Sequence, residues 1–171
     1  MTTLLQKAVF FDRDGVLNID TGYPHRLEDC HMIDGADAAL KYINDRGYVA
    51  FIVTNQGGIA LGLYDEHALE EFNAALLTKI SQHGGKVLDI AHCPHHPKSE
   101  DESMRDCSCR KPKPGMLLML AEKHGIDLSQ SVMVGDRDTD IEAAHAAGCK
   151  GYLFTGGNLF NFIQTVMDQH P

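Results

Sequence analysis

The stretch Ala8-Val9-Phe10-Phe11-Asp12-Arg13-Asp14-Gly15 decides the fold. Four apolar residues in succession, with no polar alternation, are the pattern of a strand covered on both faces, and such strands belong to parallel sheets wrapped by helices. The run ends abruptly in two acids and a turn-forming Asp-Gly pair, so charge gathers at the strand's carboxyl end. The same arrangement recurs outward along the chain. Tyr48-Val49-Ala50-Phe51-Ile52-Val53 is a second apolar run, followed by Thr54-Asn55-Gln56-Gly57-Gly58. Ser131-Val132-Met133-Val134 is a third, followed by Gly135-Asp136-Arg137-Asp138-Thr139-Asp140. Val87-Leu88-Asp89-Ile90 and Tyr152-Leu153-Phe154 are weaker strand signals.

Helical spacing fills the gaps. Leu69, Phe72, Leu76 and Ile80 share one helix face, as do Met116, Leu117 and Leu120. Asp65 is placed to cap a helix beginning near Glu66, and Gly47 and Gly125 stand where helices stop. Strands alternating with helices predict an α/β fold, a doubly wound parallel sheet. The chain of 171 residues suits one domain spanning 1–171, with no internal repeat and no low-complexity linker. The stretch from about Cys93 to Pro114 reads as neither strand nor helix, and is rich in Pro, His, Cys and charge.

Composition narrows the partners. The net charge of −9 disfavours a nucleic-acid partner, which is held chiefly through Lys and Arg on phosphates. A small anionic substrate remains compatible, because a bound cation and a local basic pair can reverse the sign of one pocket. No apolar run approaches the ~20 residues of a membrane span. Met1 to Lys7 lacks the apolar core of a secretory leader, so a cytoplasmic location is expected. No apolar surface stripe argues for a dimer, and a monomer is expected.

In an open parallel sheet, all the strand carboxyl ends lie along one edge, and ligands bind there. Three turns would thus bring carboxylates, a hydroxyl and an amide together, with Arg110-Lys111 as a basic contribution. These groups suit phosphoryl transfer. Asp12, first off its strand, is placed to attack phosphorus and form an aspartyl phosphate. Asp14, two residues on, can protonate the leaving oxygen and then activate water. Carboxylate and phosphate repel each other, so a divalent cation is required; Asp12 and Asp136, with a backbone carbonyl near Asp14, offer an oxygen-rich Mg²⁺ site. Thr54 and Asn55 can donate to phosphoryl oxygens, and Lys111 can offset the growing negative charge. Each motif alone is weak, since Asp-x-Asp-Gly usually only shapes a turn. Their occurrence in order, each directly after a strand-like run, carries the reading.

Asp12-x-Asp14-Gly15, Thr54-Asn55, Lys111 and Gly135-Asp136-x-x-x-Asp140 resemble the four motifs of the haloacid dehalogenase superfamily of phosphatases, over nearly the whole chain. The resemblance implies Asp12 as nucleophile, Asp14 as general acid/base, and Mg²⁺ on Asp12, Asp14 and Asp136. The interval between the first two motifs leaves room for one helix, so a large cap domain is not expected and the site should be open.

A second cluster lies in the polar stretch. Cys93-Pro94-His95 and Cys107-Ser108-Cys109 supply three sulfurs and a nitrogen, the composition of a closed, structural tetrahedral zinc site. His92 and His96 flank His95 as alternative ligands. Zn²⁺ pinning a loop of about 93–110 would hold Arg110 and Lys111 against the phosphate edge. Cys30 and Cys149 lack partners at ligand spacing and read as buried thiols; His25, His31 and His145 read as surface or satisfied side chains.

Cys-x-His…Cys-x-Cys-Arg-Lys-Pro is similar to two bacterial subfamilies, the heptose-bisphosphate phosphatases and the histidinol-phosphate phosphatases. The long insert before Cys107, Phe11 to Asn18, Cys93-Pro94-His95-His96-Pro97 and Arg110-Lys111-Pro112-x-Pro114-Gly115-Met116-Leu117 look more like the heptose enzymes. By that resemblance Arg110 contacts the distal part of a small phosphorylated substrate, and the loop with Gly22, Tyr23 and Arg26 selects it. One departure stands out: Gly58-Ile59-Ala60-Leu61-Gly62 has leucine where those enzymes typically carry arginine. A phospho-accepting regulator without turnover is the alternative of another class; Asp14, which such a regulator would not need, favours an enzyme.

Overall fold

The computed structural model describes residues 4–170; the first three residues of the Met1 to Lys7 stretch, which is not expected to be a leader, lie outside them. Five strands, β1 (Ala8–Phe11), β2 (Val49–Asn55), β3 (Asp89–Cys93), β4 (Val132–Gly135) and β5 (Lys150–Leu153), form one sheet in the order β3-β2-β1-β4-β5. Every pairing is parallel, with Phe10 opposite Phe51 on one side and Met133 on the other. Five helices connect and flank them: α1 (Ala36–Asp45), α2 (Glu66–Ser81), α3 (Gly115–His124), α4 (Asp138–Ala147) and α5 (Leu159–Gln169).

Period-two alternation within the buried strands builds two separate cores. Val9, Phe11, Ala50, Ile52, Val132 and Val134 face α1, α2 and α5. Ala8, Phe10, Phe51, Val53 and Met133 face α3 and α4. The sheet is therefore doubly wound. The chain leaves β1 through α1 on one face and reaches β4 through α3 on the other, so the crossovers part between β1 and β4. A crevice at the carboxyl ends of these two strands follows from that topology.

The helix ends obey the expected signals. The Asp65 carboxylate accepts from the Ala68 N–H, and Gly47 and Gly125 have φ of 80° and 64°, the left-handed conformation that closes a helix without Cβ strain. Strand bounds differ from expectation: β2 runs on through Thr54 and Asn55, which are its last residues and not part of the turn after it. The third begins at Asp89, not Val87, and runs to Cys93, while the fifth begins at Lys150. Cys93 is thus a fully buried strand terminus, not the first residue of a loop. The reason is pairing with β2, which matches Asn55 to Cys93 and draws the polar Asp89-Ile90-Ala91-His92-Cys93 into the ladder. Helix α5 lies outside the expected elements, although Leu159, Ile163, Val166 and Met167 are buried at helical spacing. No helix among the described residues is long and apolar enough to cross a membrane.

Candidate active site

Asp12, Thr54, Asn55 and Asp136 all stand at carboxyl ends of β1, β2 and β4. Asp12, Thr54 and Asn55 line one cavity of about 390 Å³ with Asp14, Arg110, Lys111 and Asp140, and Asp136 lies beside Asp12 and Asp140. The centre is an ion cluster. Lys111 Nζ donates to Asp12 Oδ1 at 2.9 Å and to the Val53 carbonyl at 2.8 Å, and lies 2.6 Å from Asp140 Oδ1. The lysine is only 3% exposed, so its charge is tolerable only because the two acids surround it. Burial works against the ammonium, but Asp12 and Asp140 outweigh it and raise its affinity for the proton.

Burial pushes the Asp12 carboxyl up to about 7 despite the pull of Lys111, with Asp140 and Asp136 adding repulsion. Burial also raises Asp136. One lysine cannot satisfy three acids. Oxygen atoms of Asp12, Asp136 and Asp140 fall within 4.8 Å of one another, and Asp136 Oδ1 is buried without a hydrogen-bond partner. An orphaned acceptor facing a surplus of buried negative charge fits a hard divalent cation. Two glycines make the approach possible. A Cβ at Gly15 (φ 87°) would overlap the Asp136 carboxylate, and one at Gly135 would overlap Asp140.

Other residues are brought to the site in roles different from expectation. The Asn55 side chain is spent on the Lys111 backbone, its amide donating to the carbonyl at 3.1 Å and its oxygen accepting from the N–H at 3.0 Å. It positions Lys111; the hydroxyl of Thr54 is the group left for a phosphoryl oxygen. The Asp14 carboxylate is turned from the acid cluster and held by four donors. Oδ1 accepts from Arg13 Nε at 2.8 Å and Asn18 Nδ2 at 3.0 Å; Oδ2 accepts from Arg13 Nη2 and Gln56 Nε2, each at 3.2 Å. The Asp14 side chain is accordingly absent from the acid cluster that could ligate a cation.

Asp140 caps α4, with Oδ2 accepting from the N–H groups of Asp136 and Arg137, each at 3.1 Å. Arg110 lines the cavity while its Nη1 donates to the His95 carbonyl at 3.0 Å. That bond ties it to the cysteine cluster. Cys93 Sγ lies 3.4 Å from His95 Nδ1 and 3.5 Å from Cys107 Sγ, and Cys109 Sγ lies 3.5 Å from His95 Nδ1. A tetrahedral zinc with Zn–S of ~2.3 Å spaces its ligands ~3.8 Å apart, so the four atoms fit such an ion closely. His95, not His92 or His96, belongs to this group. His92 instead meets Glu66 at 2.8 Å.

A HAD-hydrolase-like family model matches residues 108–159, from Ser108, between Cys107 and Cys109, through β4, α4 and β5. The D-glycero-beta-D-manno-heptose-1,7-bisphosphate 7-phosphatase of Haemophilus ducreyi is 44% identical over 146 residues, covering 85% of this chain and 80% of that protein. The phosphatase of the same name from Rhodopseudomonas palustris is 37% identical, covering 94% of this chain and 89% of its own. The chain belongs to this family of HAD-like phosphatases. Among solved structures, the D,D-heptose 1,7-bisphosphate phosphatase of B. bronchiseptica, complexed with magnesium and phosphate, superposes with a TM-score of 0.79 at 32% identity, over 95% of this chain and 86% of that one.

In this phosphatase, several site residues escape a strand-end reading. Arg13 is wholly buried, stacked 4.3 Å over the Phe72 ring, and holds Asp14. Asn18 and Gln56 hold it from two further directions. Arg137 lines the cavity mouth, 3.4 Å from Asp20. Asn18 alone carries a local signal, a polar residue between Leu17 and Ile19, whereas Arg13, Gln56 and Arg137 stand among other polar residues and carry none. Cys30 and Cys149 are buried thiols, and His31 and His145 are exposed, as expected.

Proposed function

We propose that this phosphatase removes the 7-phosphate from D-glycero-D-manno-heptose 1,7-bisphosphate. The observation that carries the reading is its 44% identity to a phosphatase of that name over 85% of the chain, together with Asp12 and Lys111 paired at the crevice. Asp12 attacks phosphorus; its O–P bond forms as the bond to the sugar oxygen breaks, and that oxygen takes a proton from Asp14. Asp14, now ionised, accepts a proton from water as the water attacks the aspartyl phosphate, releasing inorganic phosphate and restoring Asp12. Lys111 offsets the charge of Asp12 and the phosphoryl group, and Thr54 donates to a phosphoryl oxygen. Asp12 and Asp136, with the Asp14 carbonyl, would hold Mg²⁺, which neutralises phosphate charge when bound. Zn²⁺ on Cys93, His95, Cys107 and Cys109 would fix the segment that carries Arg110 and Lys111.

A bisphosphate needs a second cationic contact. Arg110 and Arg137 both line the cavity and supply it, which compensates for Leu61. A large anionic polymer is not suited to a chain of net charge −9, and a single copy holds all the groups invoked. Photorhabdus laumondii carries relatives named for the alpha and for the beta anomer, each 41% identical, so overall identity does not choose between them. The test is Mg²⁺-dependent phosphate release from both anomers, histidinol phosphate and simple sugar phosphates. A kcat/KM at least about tenfold higher for one heptose bisphosphate supports the reading. Preference for histidinol phosphate, or a flat profile, refutes the substrate.

A further inference from the structure

The four donors around Asp14 are not equally secure. Oδ1 is gripped at 2.8 and 3.0 Å, Oδ2 only at 3.2 Å from each donor, so Oδ2 is the more weakly held oxygen, whose hydrogen bonds give way more readily to a proton. One of its two donors, Gln56, is 2% exposed and bridges two functional groups: its Nε2 also donates to Thr54 Oγ1 at 2.8 Å. A primary amide can present its oxygen or its nitrogen to such a place, and the wrong face would set oxygen against the Asp14 carboxylate. The choice is made from outside. The Tyr64 hydroxyl donates to Gln56 Oε1, which directs the amide nitrogen toward Asp14 and Thr54. Burial pushes the Tyr64 phenol up to about 12, keeping it a donor at neutral pH.

The ring itself is held in place. His25 stacks on it with centroids 4.8 Å apart and planes 11° from parallel, and a Cβ at Gly58 would overlap its edge. We propose that Tyr64 is a positioning residue for proton transfer, acting through Gln56 to set Oδ2 of Asp14 for the departing oxygen; this rests on Asp14 being the general acid. Because Thr54 accepts from Gln56, its own hydroxyl proton is left to donate, so the same relay touches phosphate binding only secondarily.

The test compares leaving groups. Up to departure of the leaving group, kcat/KM depends on the acid only where the leaving oxygen is strongly basic. Tyr64→Phe keeps the ring and its stacking but deletes the donor. On a primary alkyl phosphate, heptose bisphosphate or whichever the wild type accepts, kcat/KM should fall about tenfold, chiefly in kcat. On p-nitrophenyl phosphate, whose leaving group departs without protonation, it should fall less than about twofold. Equal losses on both substrates, or none on either, overturn the proposal. On a Gln56→Met background the Tyr64→Phe change should cost nothing further, whereas additive losses also overturn it. Failure of heptose bisphosphate while another alkyl phosphate is turned over refutes the substrate reading alone, and the leaving-group comparison still decides the role of Tyr64.

Discussion

Lys111 Nζ lies 2.9 Å from Oδ1 of Asp12, although 99 positions separate the two residues in the chain. All three of its donor directions are used, on Asp12, Asp140 and the Val53 carbonyl. The lysine therefore serves the resting site as a counter-ion before any phosphate arrives, and its burial makes that charge strong.

Removing it should be costly twice over. Lys111→Met leaves Asp12 and Asp140 buried without a cation, and phosphate release should fall at least about a hundredfold. Lys111→Arg should restore little, because a planar fork cannot reach three partners set around one point. Steady-state phosphate release on both variants checks this; a loss under about tenfold for the methionine variant contradicts it.

The raised Asp12 carboxyl has a signed consequence for stability. It titrates near 7 in the folded chain against 3.8 in the unfolded one. Between those values the unfolded chain has released a proton that the folded chain retains, so Asp12 lowers stability as pH rises through that window. Without divalent cation, the thermal midpoint should drop more between about pH 5 and about pH 7 for the wild type than for Asp12→Asn. Mg²⁺, bound to the ionised acids, should lift the wild-type midpoint most at the upper end. Asp12→Asn should lack turnover and still fold. Parallel pH profiles for the two proteins would contradict the assignment.

Stripping the cysteine cluster should act on the phosphate site at a distance. Cys109 and Arg110 adjoin, and Arg110 is bonded to the His95 carbonyl. Treating the protein with a chelator and then restoring excess Mg²⁺ should leave activity low until zinc is returned, with about one zinc per chain by elemental analysis. Full activity on Mg²⁺ alone would show that the loop holds without its ion.

Two glycine substitutions separate crowding from conformation. Gly135→Ala forces a methyl into Asp140 and should cost about 2–4 kcal/mol together with most activity. Gly22→Ala meets nothing within 4 Å and bears only the strain of φ 83°, about 1 kcal/mol. Chemical denaturation of both proteins measures the contrast, and equal losses would contradict it.

The sheet, its winding and the chemical cast of the site were legible in the chain. A run such as Ala8-Val9-Phe10-Phe11 reports burial on both faces locally, and acids directly after such runs must share an edge once the strands are parallel. The chain likewise names the sulfurs Cys93, Cys107 and Cys109, because thiol spacing is local. Only the tertiary structure decided where side chains are spent. Asn55 turns to the backbone of Lys111, Asp14 is held by Arg13, Asn18 and Gln56, and Cys93 ends a strand. Apolar burial is written in short-range periodicity, whereas a polar group's partner is whatever donor or acceptor the fold places within about 3 Å, often from 40 to 100 residues away. No pattern along the chain records that choice.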